Sequence, residues 1–167
     1  MEINTPSFGT VELNDFIELS KGTLRSILHM RNHSDVRMQM HNNSPISEDE
    51  HFNFVDSLKT DKSKKYFAVS SSNKIVGVIY FTDINLPEST TTFGIYANLI
   101  DKIPKSGSIL MEAAITYFNN YIPCNALTLE VYESNEKAVN LYLKYGFIKK
   151  RIFKNDSKSV VFMELGK

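Results

Sequence analysis

The sequence has one cysteine, Cys124, so no intrachain disulfide can form. That thiol lies in an apolar stretch ahead of a predicted strand, where cysteines commonly serve as inert core residues, and a reducing compartment fits. Nor is there an excess of charge: 19 basic and 19 acidic residues cancel. No segment gathers the Lys and Arg that a phosphate-backbone binder needs, so nucleic acid is not an expected partner. The densest basic run, Lys62, Lys64 and Lys65 beside Asp61, reads as a solvated loop. Nowhere do about 18 apolar residues follow one another, and Met1 to Thr10 lacks a basic region leading into an apolar run. No membrane contact is expected, and the expected location is the cytosol. Gly and Pro are scattered singly, without repeats or low-complexity tracts, so nothing reads as a linker.

What is present describes an ordinary folded protein: 42% hydrophobic, 23% charged and 11% aromatic residues. The expectation is one domain over 1–167, able to bury roughly 70% of its unfolded surface around a core rich in Phe and Tyr.

Periodicity predicts alternating helices and strands. A first helix covers Gly22 to Asn32, with Leu24, Ile27, Leu28 and Arg31 at helical spacing. A second starts at Ser47, where Ser47 and Glu50 make a capping box ahead of Phe52, Val55 and Leu58. The period then changes to two. Tyr66 to Val69, Ile75 to Phe81 and, after a Leu86 to Ser89 loop, Thr91 to Tyr96 read as an antiparallel meander. Ile109 to Tyr121 is a long buried helix, with Pro123 just beyond it. Leu127, Leu129 and Val131 alternate with Thr128, Glu130 and Tyr132 as a strand; Asn135 can cap a further helix that Gly146 ends. Phe147 to Phe153 and Ser159 to Leu165 form a closing hairpin around Asn155, Asp156 and Ser157. The fold class is α+β.

This order of elements, with Asn135, Ala138, Tyr142 and Gly146-Phe147 in the pattern Asn, two residues, Ala, three residues, Tyr, three residues, Gly-Phe, resembles the GNAT superfamily of N-acetyltransferases. The resemblance implies the acyl-coenzyme A N-acyltransferase fold, a mixed twisted sheet splayed into a V and flanked by helices, with acetyl-coenzyme A as co-substrate. In that family the loop before the long helix reads Arg or Gln, two residues, Gly, one residue, Gly or Ala. Here Lys102, Ile103, Pro104, Lys105, Ser106 and Gly107 stand in its place, so Lys105 replaces the first glycine. Amides of Lys105, Ser106, Gly107 and Ser108 at a helix N-terminus would meet the coenzyme pyrophosphate. A narrower likeness rests on Arg31-Asn32-His33, Glu50, His51, Phe54, Tyr66-Phe67, Gly77 and Phe93-Gly94-Ile95-Tyr96. From about Arg31 onward the chain is similar to the N-acetyltransferases of bacterial pseudaminic acid synthesis, the nonulosonic sugar that decorates flagellin. That implies transfer to the 4-amino group of UDP-4-amino-4,6-dideoxy-N-acetyl-β-L-altrosamine. Ser34, where the family often has proline, and the pair Thr82-Asp83 depart from the pattern.

Acetyl transfer from a thioester needs a neutral amine, a donor for the oxyanion and a proton for the departing thiolate. The resemblance places the carbonyl against the backbone of Ile95, Tyr96 and Ala97, the pantetheine by Asn135, and the general acid at Tyr142. Glu130, among the outward-alternating residues of its strand, is the candidate base, directly or through water. Arg31 and His51 are candidate partners of the UDP diphosphate, and Thr82 and Tyr96 of the sugar. Each also has a structural reading: core tyrosines, a solvated carboxylate, a helix cap. His29 and His33 have ligand spacing but no accompanying cluster, so no metal is expected. The helically spaced Tyr117, Phe118 and Tyr121 read as core or core edge. Pairing of edge strands makes a homodimer plausible. Two alternatives stand beside this reading: a GNAT enzyme acting on a protein N-terminus or another small amine, and a non-catalytic acetyl-coenzyme A binding module.

Overall fold

The computed structural model describes residues 1–85, 90–155 and 157–167; the predicted Leu86 to Ser89 loop and Asp156 of the final turn lie outside the described residues. The chain runs through β1 (Glu2–Thr5), β2 (Gly9–Asp15), a 3-10 turn (Phe16–Glu18), α1 (Lys21–Asn32), α2 (Ser34–Arg37) and α3 (Glu48–Ser57). It continues through β3 (Lys65–Ser71), β4 (Lys74–Asn85), β5 (Thr90–Ala97), α4 (Ser106–Tyr121), β6 (Ala126–Tyr132), α5 (Glu136–Lys144), β7 (Ile148–Asn155) and β8 (Lys158–Gly166). The strands form one mixed sheet in the order β1-β2-β3-β4-β5-β6-β8-β7, antiparallel except between β5 and β6. The expected meander is therefore there, extended by β1 and β2. Those two strands were not anticipated, because four and seven residues with only Ile3, Val11 and Leu13 among their buried apolar side chains carry little periodic signal.

Alternation along the central strands sorts side chains between two helical layers. Phe67, Val69, Ile79, Phe81 and Phe93 face α4, whose Leu110, Met111, Ala113, Ala114 and Phe118 are fully buried against them. The intervening Ala68, Val78 and Tyr96 pack with Leu24, Ile27 and Met30 of α1 and Val55 of α3 on the opposite face. Cys124 is buried in the α4 layer, and so are Tyr117 and Phe118, while Tyr121 stays exposed.

The helix ends follow their capping chemistry. The Ser47 hydroxyl accepts from the Glu50 N–H at 3.2 Å while the Glu50 carboxylate accepts from the Ser47 N–H at 2.7 Å. Loss of such a cap costs about 1 kcal/mol. At the end of α5, Gly146 has φ 88 and donates to the Leu143 carbonyl, while Phe147 donates to that of Tyr142, both at 3.1 Å. This pair of bonds is a Schellman motif, which needs the left-handed glycine and turns Phe147 back onto Tyr142, their rings 5.7 Å apart.

Candidate active site

The parallel pairing of β5 and β6 is short: Thr90 with Ala126, Thr91 with Leu127 and Thr92 with Thr128. Beyond Thr92 the strands separate, β5 staying with β4 through Ala97 and β6 with β8 through Tyr132. Alternate main-chain N–H and C=O groups of 93–97 therefore face a gap rather than a strand. A cleft of about 270 Å³ fills that gap, lined among others by Ile95, Tyr96, Ala97, Ser106, Gly107, Glu130, Asn135 and Tyr142. The V expected from the sequence is present, and it gathers the predicted thioester residues on its walls.

Tyr142 is 7% exposed, its ring edge-on to Phe93 at 6.4 Å. No described residue hydrogen-bonds its hydroxyl, and burial pushes the phenol well above its ordinary pKa, which keeps the proton on it throughout the working pH range. Glu130 occupies the exposed position between buried Leu129 and Val131, and one of its oxygens lies 3.3 Å from His41 Nε2. Asn135 caps α5 by accepting from the Ala138 N–H at 3.2 Å.

At the mouth of the V, Lys105 is the N-cap of α4 in the left-handed conformation, φ 60 and ψ 18. A lysine thus adopts the backbone usually left to glycine. The amide of Ser106 is taken by the Ile103 carbonyl at 3.2 Å, whereas those of Gly107 and Ser108 have no partner among the described residues. Gly107 also lets α4 approach α5, since a Cβ there would stand 3.1 Å from Leu141. Lys102, Lys105, Lys137 and Lys144 share a groove of about 870 Å³ with these amides. Two unpaired N–H groups at a helix N-terminus ringed by lysines suit a polyphosphate. Lys137 and Lys144 were not foreseen, although their spacing of seven puts them on one face of α5.

A second pocket, about 250 Å³, opens on the opposite face of the sheet between Phe16, Arg31, His51, Phe54, Tyr66, Tyr80 and Tyr96. Arg31 gives one bond from Nη2 to the Asn42 carbonyl at 3.2 Å, but its buried Nη1 has no partner among the described residues, and neither has His51 Nε2. Buried polar atoms without partners point to a ligand that supplies them. Burial lowers the His51 pKa, only partly offset by the Leu24 backbone, so the imidazole is neutral near pH 7. Thr82 is not part of this pocket; its hydroxyl donates to the Asp83 carboxylate at 3.0 Å beside a left-handed Asp83, φ 56. The structure thus brings Arg31, His51 and Tyr96 together and leaves Thr82 apart. His33 caps α2, its Nδ1 accepting from the Asp35 N–H at 3.3 Å. Tyr80 was overlooked, yet it and Met40 line both pockets and the space between them.

The GNAT acetyltransferase domain model matches residues 14–160. The chain belongs to the GNAT acetyltransferase family. Among curated relatives of this acetyltransferase, acetyltransferase PseH of Campylobacter jejuni strain 81-176 is 34% identical over 82% of this chain and 84% of its own length. The PseH of a second Campylobacter jejuni strain is 32% identical over the same shares. The crystal structure of Campylobacter jejuni PseH in complex with acetyl coenzyme A is similar at a TM-score of 0.73 and 30% identity, covering 94% of this chain and 99% of that one. Spermidine N-acetyltransferase from Vibrio cholerae superposes at a TM-score of 0.82 but is only 22% identical, over 93% and 95% of the two chains; it shares the fold.

Proposed function

We propose that this acetyltransferase moves acetyl from acetyl-coenzyme A to the 4-amino group of UDP-4-amino-4,6-dideoxy-N-acetyl-β-L-altrosamine, in the cytosol, as a step towards pseudaminic acid. The observation that carries the reading is the pairing of a parted β5–β6 cleft holding Tyr142 and Glu130 with an aromatic pocket whose Arg31 and His51 atoms lack partners. The similarity to PseH supports the same acceptor class.

Pantetheine lies along the free edge of β5 at Ile95, Tyr96 and Ala97, with Asn135 beside it and the pyrophosphate at Gly107, Ser108 and the lysines. Main-chain N–H groups on that edge polarise the thioester carbonyl and hold the oxyanion. The neutral amine attacks the carbonyl carbon, its proton passes to Glu130 directly or through water, and the C–S bond breaks as Tyr142 supplies a proton to the sulfur. Arg31 and His51 border the diphosphate, with Arg31 contributing the charge, while the Tyr96 ring borders the acceptor. Thr82 would reach the sugar only from outside this pocket.

The test is mass spectrometry of the UDP-4-amino sugar incubated with protein and acetyl-coenzyme A. One added acetyl on the exposed amine is expected. An unchanged sugar beside an acetylated polyamine or peptide N-terminus would replace this acceptor, and no transfer to any amine would leave only coenzyme binding.

A further inference from the structure

Glu130 does not stand alone at the cleft. His41, in the segment after α2, places Nε2 3.3 Å from Glu130 Oε2, and its ring lies edge-on to Tyr132, 6.0 Å between centroids. Tyr132 is itself held: its hydroxyl reaches the Met40 carbonyl at 3.5 Å and the Lys158 ammonium covers its ring at 4.3 Å. The two residues bracketing the imidazole, Met40 and Tyr132, are thus tied to each other. His41, Glu130, Tyr80 and Phe93 line a space of about 360 Å³ at the point where β5 and β6 part, sharing Met40 and Tyr80 with both the thioester cleft and the aromatic pocket.

We propose that His41 is a positioning residue for Glu130. Its Nε2–H donates to Oε2, which leaves Oε1 as the oxygen that receives the amine proton. A strand glutamate has three rotatable bonds, and a charge-assisted hydrogen bond to one of its oxygens fixes the rotamer. The inference rests on the role given to Glu130 above and adds a residue that spacing could not reveal, since His41 and Glu130 meet only through the fold.

The test compares His41→Ala, His41→Gln, Glu130→Gln and the double variant His41→Ala/Glu130→Gln by steady-state kinetics. His41→Ala is expected to lose about tenfold in kcat, the worth of one exposed charge-assisted hydrogen bond at most, with the acetyl-coenzyme A KM unmoved. His41→Gln restores most of that loss, because its amide nitrogen reaches the same oxygen. In the Glu130→Gln background, removal of His41 has no further effect. Wild-type turnover in His41→Ala, or equal losses with and without Glu130, would overturn the proposal. The acceptor is the UDP-4-amino sugar, or whichever amine the wild type acetylates in its place; that substitution would refute the acceptor assignment alone. Independently of turnover, the ring nitrogen resonances of His41 in ¹⁵N-labelled protein should shift on Glu130→Gln, and unmoved resonances would also defeat the pairing.

Discussion

The ring of Tyr80 lies where any residue larger than glycine at position 94 would put its Cβ. The two face each other across β4 and β5. Tyr80 is stacked on Tyr66 at 5.0 Å and 8°, which holds it between the aromatic pocket and the cleft. Gly94→Ala must therefore push the tyrosine off Tyr66 or bend β5. We expect a loss of about 1–3 kcal/mol in stability, together with a raised acceptor KM. Urea unfolding and kinetics measure both, and a variant as stable and active as the parent would show that the close approach is dispensable.

Lys105 tests the loop proposed to hold the pyrophosphate. A non-glycine residue at φ 60 is strained, and Lys105→Gly relieves this at some gain of freedom in the unfolded chain. The net expectation is a rise in stability of up to about 1 kcal/mol. Removing one exposed charge from a phosphate site should raise the acetyl-coenzyme A KM about two- to fivefold. A lower melting temperature would mean that the lysine side chain contributes contacts outweighing the strain.

What was legible in the sequence is what short spacing encodes. Ser47 and Glu50 are three apart and cap each other; Asn135, Tyr142 and Gly146 are one helix with its two ends, so cap, ring and Schellman turn could be read together. What escaped depends on register between distant segments. The V itself was expected through the family resemblance, but the point at which pairing stops, Thr92 and Thr128, is announced by nothing local to either strand. Tyr80 and His41 acquire their places only once β4 meets β5 and the segment after α2 meets β6. His51 was expected as a site residue, but its burial, and hence its neutral state, is a property of the packed aromatic pocket.

Arg31 should act on the acceptor and not on the coenzyme. Arg31 lines the aromatic pocket and not the lysine-rich groove at α4, and its Nη1 has no partner among the described residues. A charge-assisted bond to phosphate is worth about 1.5–3 kcal/mol, so Arg31→Ala is expected to raise the acceptor KM by about 10- to 100-fold. An unchanged acceptor KM would remove the diphosphate from this pocket.

The buried His51 sets a dependence of stability on pH. Its folded pKa is depressed by desolvation, so below the unfolded value of about 6.5 the unfolded chain binds a proton that the folded one refuses. Stability contributed by the neutral imidazole is therefore present above that pH and falls as acid is added. Urea midpoints at pH 7.5, 6 and 5 should decline less steeply in His51→Gln than in the parent; parallel declines would mean that the imidazole is solvated.

Tyr142 carries the enzymatic reading, and its surroundings make a clean experiment. Because no described residue bonds its hydroxyl, Tyr142→Phe keeps the ring contacts with Phe93 and Phe147 and removes an atom that contributes no internal hydrogen bond. Stability should hold within about 0.5 kcal/mol. Turnover should fall about 10²- to 10⁴-fold, the range for losing a general acid, with the acetyl-coenzyme A KM little changed. The raised pKa adds a second signature: the phenol stays protonated at every usable pH, so any alkaline limb in the parent's rate profile belongs to some other group and persists in the variant. A near-parental rate in a folded variant would transfer the proton donation to water reaching the sulfur through the cleft, and Tyr142 would then be a wall of the site rather than its acid.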